Sequence, residues 1–244
     1  MRRIHLAILA GIVLAAATAA KAVEYKYEFD MSGATNLTAW TETKLRPMVE
    51  TWYPKLCALL AQPGFTPPGK VRFRYRDNHH MHGTPAWAAG NEISLNRQWF
   101  EGNTNGEALG CVVHEMVHVV QAYRYGRRRA PSWVQEGLAD YVRWFLYEPE
   151  SFGAIPNFRD QNTRHDSSYR VTAHFLNYVE LKYGSGRNPI YRRLNAAARD
   201  ANYSDDFWKE ATGKGLAELD AEWKQAFTRP PRERRRQPQR PKTP

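Results

Sequence analysis

The sequence predicts an α+β fold, and three observations carry that prediction. Segments that alternate apolar and polar residues lie early in the chain, segments with apolar residues at helical spacing fill the later part, and no internal repeat is visible. With 244 residues and 42% hydrophobic content, the chain suits one globular domain that needs no disulfide staples. An aromatic content of 13% excludes a wholly disordered chain, and two cysteines exclude a disulfide-dense scaffold.

Residues 1–22 are set apart from the domain. Arg2 and Arg3 precede an apolar run from Leu6 to about Ala17, and Ala20-Lys21-Ala22 offers a small-x-small site before Val23. That is the pattern of a cleaved secretory signal, and the run is short for a membrane span, so the mature protein is expected to be secreted with no transmembrane segment. The domain itself is expected over residues 23–228.

Residues 23–30 alternate and predict a strand. Apolar residues at helical spacing from Leu37 to about Ala61 predict a long helix, closed by Pro63-Gly64 and Pro67-Pro68-Gly69. Val71–Arg76 alternates strictly and predicts a half-exposed strand. Trp87–Leu95 predicts another, with a turn or bulge at Gly90-Asn91. Helices are predicted over Glu107–Tyr123, Pro131–Tyr147, Tyr169–Tyr183, Ile190–Ala198, Ser204–Glu210 and Leu216–Phe227, with Ser204 or Asp205 as a cap. Between these, the segment Asn78-His79-His80-Met81-His82 reads as a polar loop with ligand-capable side chains, either solvated or holding a second metal.

The formal net charge is +10, of which the first 22 residues contribute three and the last sixteen six, leaving the body near +1. Nucleic-acid binding does not follow from such a distribution. The Pro/Arg-rich tail 229–244 is expected to stay disordered, either as a solubilising extension or as a contact to anionic surfaces. Arg124 and Arg127–Arg129 form a second basic cluster that either favours acidic substrate groups or solvates a loop. Cys57 and Cys111 are either a disulfide pair or two buried small hydrophobes.

Chemistry is concentrated in residues 111–121, Cys-Val-Val-His-Glu-Met-Val-His-Val-Val-Gln. His114 and His118 stand at i and i+4 and leave the same helix face, so two imidazoles can reach one Zn2+. Glu115 follows the first of them, placed to take a proton from a water activated there. The other faces of the helix are valine and methionine. Polar groups inside such a helix are costly without partners, and a metal supplies them. The next helix carries Glu136, a candidate third ligand, and one turn on Asp140, a candidate acceptor for the free N–H of a ligand histidine. Gly137 between them is expected to let the two metal helices approach closely.

His114-Glu115-x-x-His118 followed by Trp133-x-x-Glu136-Gly137-x-Ala139-Asp140 resembles the gluzincin branch of zinc metallopeptidases. HEMVHVVQ, the run Trp133–Arg143 and Ser167–Gly184 together resemble the basic secretory protein family, over about Val23 to Phe227. The resemblance implies a zincin-like fold, one zinc ion and a peptidase acting on peptide or protein substrates. By position it implies His114, His118 and Glu136 as metal ligands, Glu115 as the catalytic base and Asp140 behind the ligands. The spacing from His118 to Glu136 departs slightly from thermolysin-like enzymes, which leaves Asp140 as a rival third ligand.

The implied reaction is hydrolysis by a zinc-activated water with Glu115 as general base. A donor to the developing oxyanion is expected from Tyr169, which otherwise simply packs or caps its helix, with Arg170, His165 and His174 as other candidates. His174, amid apolar neighbours, reads better as a core histidine with a hydrogen-bond partner. The strand near Ala86–Leu95 is expected to take substrate as an added strand. The alternative is a zincin-fold defence or surface-binding protein with little turnover.

Overall fold

The computed structural model describes residues 24–123, 130–160 and 162–228. The expected signal, the basic tail and the cluster Arg124, Arg127–Arg129 lie outside the described residues. Among those described, no helix is long and apolar enough to cross a membrane.

The fold is α+β, as the chain order predicts. Four strands, β1 (Lys26–Asp30), β2 (Lys70–Arg76), β3 (Ala86–Ala89) and β4 (Glu92–Asn96), form a mixed sheet in the order β1-β2-β4-β3. β1, β2 and β4 run parallel, with Phe29 opposite Phe73 and Phe73 opposite Ile93. β3 returns antiparallel on the outside of β4, pairing Ala86 with Leu95 and Ala89 with Glu92. The segment Trp87–Leu95 is thus a tight hairpin and not a bulged strand: the turn expected at Gly90-Asn91 forms, with Gly90 at φ +59°.

The alternation of β2 explains how the sheet sits. Val71, Phe73 and Tyr75 are buried, while Arg72, Arg74 and Arg76 face out. There they meet Glu28, Asp30 and Glu92 in a ladder of opposite charges. The inner face packs on the helices, and burial of its large apolar groups is the main stabilising term.

The long helix expected over 37–61 is a continuous helical run over 35–59 that changes its turn. A 3-10 turn and a short α segment lead into π turns at Thr41–Leu45, and regular α1 follows over Arg46–Leu59. Pro47 falls in the first turn of α1 and Pro54 inside it, each removing one N–H donor from the ladder. The expected loop at Asn78 is a single turn, α2 (Asn78–Met81), and among the described residues His79, His80 and His82 join no cluster able to hold a metal. A helix the sequence reading did not anticipate, α3 (Arg97–Asn103), follows β4. Its cap is the side chain of Asn96, which accepts from Trp99 N–H.

The later helices are α4 (Ala108–Gln121), α5 (Ser132–Tyr141, continued by π turns to Tyr147), α6 (Tyr169–Tyr183), α7 (Ile190–Arg199), α8 (Asp206–Thr212) and α9 (Leu216–Thr228). Asp205 precedes α8 but does not cap it with its side chain; the carboxylate accepts from Tyr203 instead. α4 lies between the sheet and the α5–α6 pair, and almost all of it is buried. Cys57 on α1 and Cys111 on α4 are both buried and both free, which answers the open choice in favour of small core residues.

Candidate active site

The Val-rich sequence of α4 is a mediocre helix former, so packing holds it in place. Val112, Val113, Met116, Val117, Val119 and Val120 are each at most 1% exposed. His114 and His118 leave the remaining strip and face α5. There the Nε2 atoms of the two rings lie 3.1 Å apart, and Glu136 Oε2 stands 3.2 Å from one and 3.3 Å from the other. The three side chains form a group that could hold a metal ion.

The opposite ring nitrogens are tied back into the protein. His114 Nδ1 lies 2.7 Å from Asp140 Oδ1, and His118 Nδ1 lies 2.7 Å from Gln121 Oε1. Asp140 is therefore behind His114, and the carboxylate that meets both imidazoles is that of Glu136. Burial by itself disfavours the imidazolium of His114, but the hydrogen bonds to Asp140 and Glu136 outweigh it and push its pKa up to about 10. Burial likewise raises a carboxyl, yet the bonds from His114 and His118 prevail at Glu136 and push it down to about 2.

The group opens on a cavity of about 1020 Å³. Glu115, only 7% exposed, lines it and stays out of the pairing among His114, His118, Glu136 and Asp140. β3 forms one rim through Ala86, Trp87 and Ala88. The start of α6 forms the other through Ser168, Tyr169 and Arg170. Tyr169 is half exposed, and its ring centre is 6.5 Å from that of His114. The charge of Glu136, with some help from burial, raises its phenol pKa.

The chain matches the family model described as peptidase of plants and bacteria, abbreviated BSP, over residues 66–223. It belongs to the BSP family. The match starts after α1, so β1 and α1 lie outside it, and it is shorter than the resemblance over about Val23 to Phe227. No curated protein and no solved structure matches the chain.

The remaining candidates separate cleanly within this BSP member. Arg170 reaches the cavity but is committed to Glu107 and to the carbonyl of Gly153. His165 sits away from the cavity, bonded to Asp220 through both its backbone N–H and its ring. His174 is a core histidine: it accepts from Trp223 Nε1, and burial pushes its pKa down to about 4. Gly137 does permit a close approach, but of α6 rather than α4. A Cβ there would lie 2.1 Å from Thr172 Cγ2.

Three residues at the site escaped the sequence reading. Arg143 lines the cavity from the end of α5 and is held by Glu107 and Glu148. Gln121 backs His118. Arg199, from α7, donates to the last carbonyls of α4, those of Val120 and Gln121. Only Gln121 carried a local signal, its i+3 spacing from His118.

Proposed function

We propose that this BSP member is a secreted zinc-dependent peptidase, with His114, His118 and Glu136 as ligands and Glu115 as general base. The convergence of two Nε2 atoms and one carboxylate oxygen beside Glu115, inside a cleft, carries the reading. Ligands around a tetrahedral zinc at about 2.0–2.1 Å lie roughly 3.3–3.4 Å from one another. The observed sides of 3.1, 3.2 and 3.3 Å fit that figure. The donor set of two imidazoles and one carboxylate, with no fourth protein ligand grouped with them among the described residues, is that of a catalytic rather than a structural zinc.

When bound, zinc supplies Lewis acidity that polarises a carbonyl and lowers the pKa of water towards about 7. Glu115 takes the proton of the attacking water and delivers it to the leaving amine. Asp140 accepts the Nδ1–H of His114 and so leaves the Nε2 lone pair free for the metal. The Tyr169 phenol donates to the developing oxyanion.

Substrate is held on the rim. Pro85 O accepts from Asn96 N–H, so residues 85, 87 and 89 turn their backbone groups towards β4. The N–H and C=O of Ala86 and Ala88 therefore face outward, free for an extended peptide lying along the cleft. Such backbone bonding favours peptides over other hydrolysable substrates and asks little of their sequence.

The test is cleavage of a general protein substrate by zinc-loaded protein recovered from the culture medium, wild type against Glu115→Gln. Wild-type cleavage should be chelator-sensitive, and the variant should lose at least about a hundredfold. Equal rates in the two would remove Glu115 from the reaction, and no chelator-sensitive cleavage by either would favour a binding protein. The first residue of the recovered chain, expected near Val23, checks export.

A further inference from the structure

We infer that Gln121 is a positioning residue: it fixes the proton of His118 on Nδ1 and ties the helix bearing that histidine to the one bearing Glu136. The inference rests on the metal reading above. Gln121 is 1% exposed, so its amide has to be satisfied by protein. Its Nε2 donates to the carbonyl of Gln135 at 2.9 Å, in the residue next to Glu136. A carbonyl only accepts, which fixes the amide nitrogen towards α5 and the amide oxygen towards His118. The reversed amide would set two oxygens face to face at that distance. An amide oxygen also only accepts, so His118 Nδ1 must be the donor across the 2.7 Å contact. In the neutral ring Nε2 of His118 then keeps its lone pair, and it is Nε2 that meets Glu136 and His114.

The backbone at Gln121 is fixed as well. α4 ends there, with Ala122 in the left-handed region at φ 46°. The buried guanidinium of Arg199 donates to Gln121 O at 3.0 Å, to Val120 O at 2.9 Å and to Gln62 Oε1 at 2.7 Å. Cations at a helix C-terminus also interact favourably with its dipole. Both the main chain and the side chain of Gln121 are thus held, and His118 inherits that order. The two ligand histidines are backed differently: His114 by a carboxylate, His118 by a neutral amide. The amide orients its ring without adding a negative charge to the site.

Zinc titration of the metal-free full chain against a chelating dye separates orientation from packing. Gln121→Met should weaken zinc affinity by about 10–100-fold. Gln121→Glu keeps an acceptor for Nδ1–H but loses the donor to Gln135, and should stay within about fivefold of wild type if orientation of His118 is what matters. A fall in Gln121→Glu as deep as in Gln121→Met, or an affinity in Gln121→Met within about twofold of wild type, would overturn the inference. Nitrogen-15 NMR of the zinc-loaded wild type needs no variant: a proton on Nδ1 of His118 is expected, and a proton on Nε2 overturns it. A wild-type chain that takes up no zinc would sink the metal reading and this inference together, whereas equal affinities sink this one alone.

Discussion

Asp140 and Glu136 flank His114 on both ring nitrogens, so without metal the imidazole holds its proton up to about pH 10 while Glu136 stays ionised down to about 2. These two shifts describe one interaction and have definite signs. The raised His114 stabilises the metal-free fold fully below its unfolded pKa of about 6.5, and that contribution is lost as pH rises through the folded value. The lowered Glu136 stabilises above its unfolded pKa of about 4.3 and loses that as pH falls. Metal-free protein should therefore gain most from this pair between about pH 4.3 and 6.5. On the proposed zinc reading the ion displaces the imidazole proton, so apparent affinity should rise roughly tenfold per pH unit near neutrality, with one proton released per ion. Calorimetry in buffers of different ionisation enthalpy reads that proton; uptake without release would contradict it. The four residues of this cluster were legible because their spacing is local: i, i+4 within α4 and again within α5. Arg199 was not, since it meets Gln121 only through the folding of α7 onto α4, and no sequence period encodes that.

Helix α5 is pinned on both sides. Gln121 holds Gln135 from α4, and Gly137 lets α6 lie against it with Thr172 in the space of a missing Cβ. Gly137→Ala should force the two helices apart and destabilise the fold by about 1–3 kcal/mol. Because Glu136 precedes that glycine, zinc affinity should fall as well; thermal melting together with metal titration checks both, and a change in neither would show that the contact yields freely. Element order was readable from periodicity, and α6 begins where the sequence suggests because Ser168 caps it by accepting from Val171 N–H. The sequence misleads where chemistry competes with period. The run before α1 widens into π turns next to Pro47, and α3 is too short to show a helical repeat, so that its Asn96 cap was its one legible sign.

In the molecule as a whole, the candidate metal group joins α4 from one layer to α5 from the next, and α5 in turn packs on α6 and α7. A bound ion acts on folding through all of them. At a free zinc concentration about a hundred times the dissociation constant, binding adds about 2.7 kcal/mol. A chelator should then lower the melting temperature by roughly 5–10 °C for a chain of this size. An unchanged melting curve would mean that the ion is not bound at the junction of these helices.

The hairpin rim has a consequence for storage at high concentration. An uncovered sheet border invites copies of a chain to stack on one another. This border is four residues long, with Pro85 before it and the left-handed Gly90 after it. A single short guest fits such a landing; an endless ribbon has nowhere to continue. The fold can thus leave its proposed substrate rail open to water without seeding fibrils.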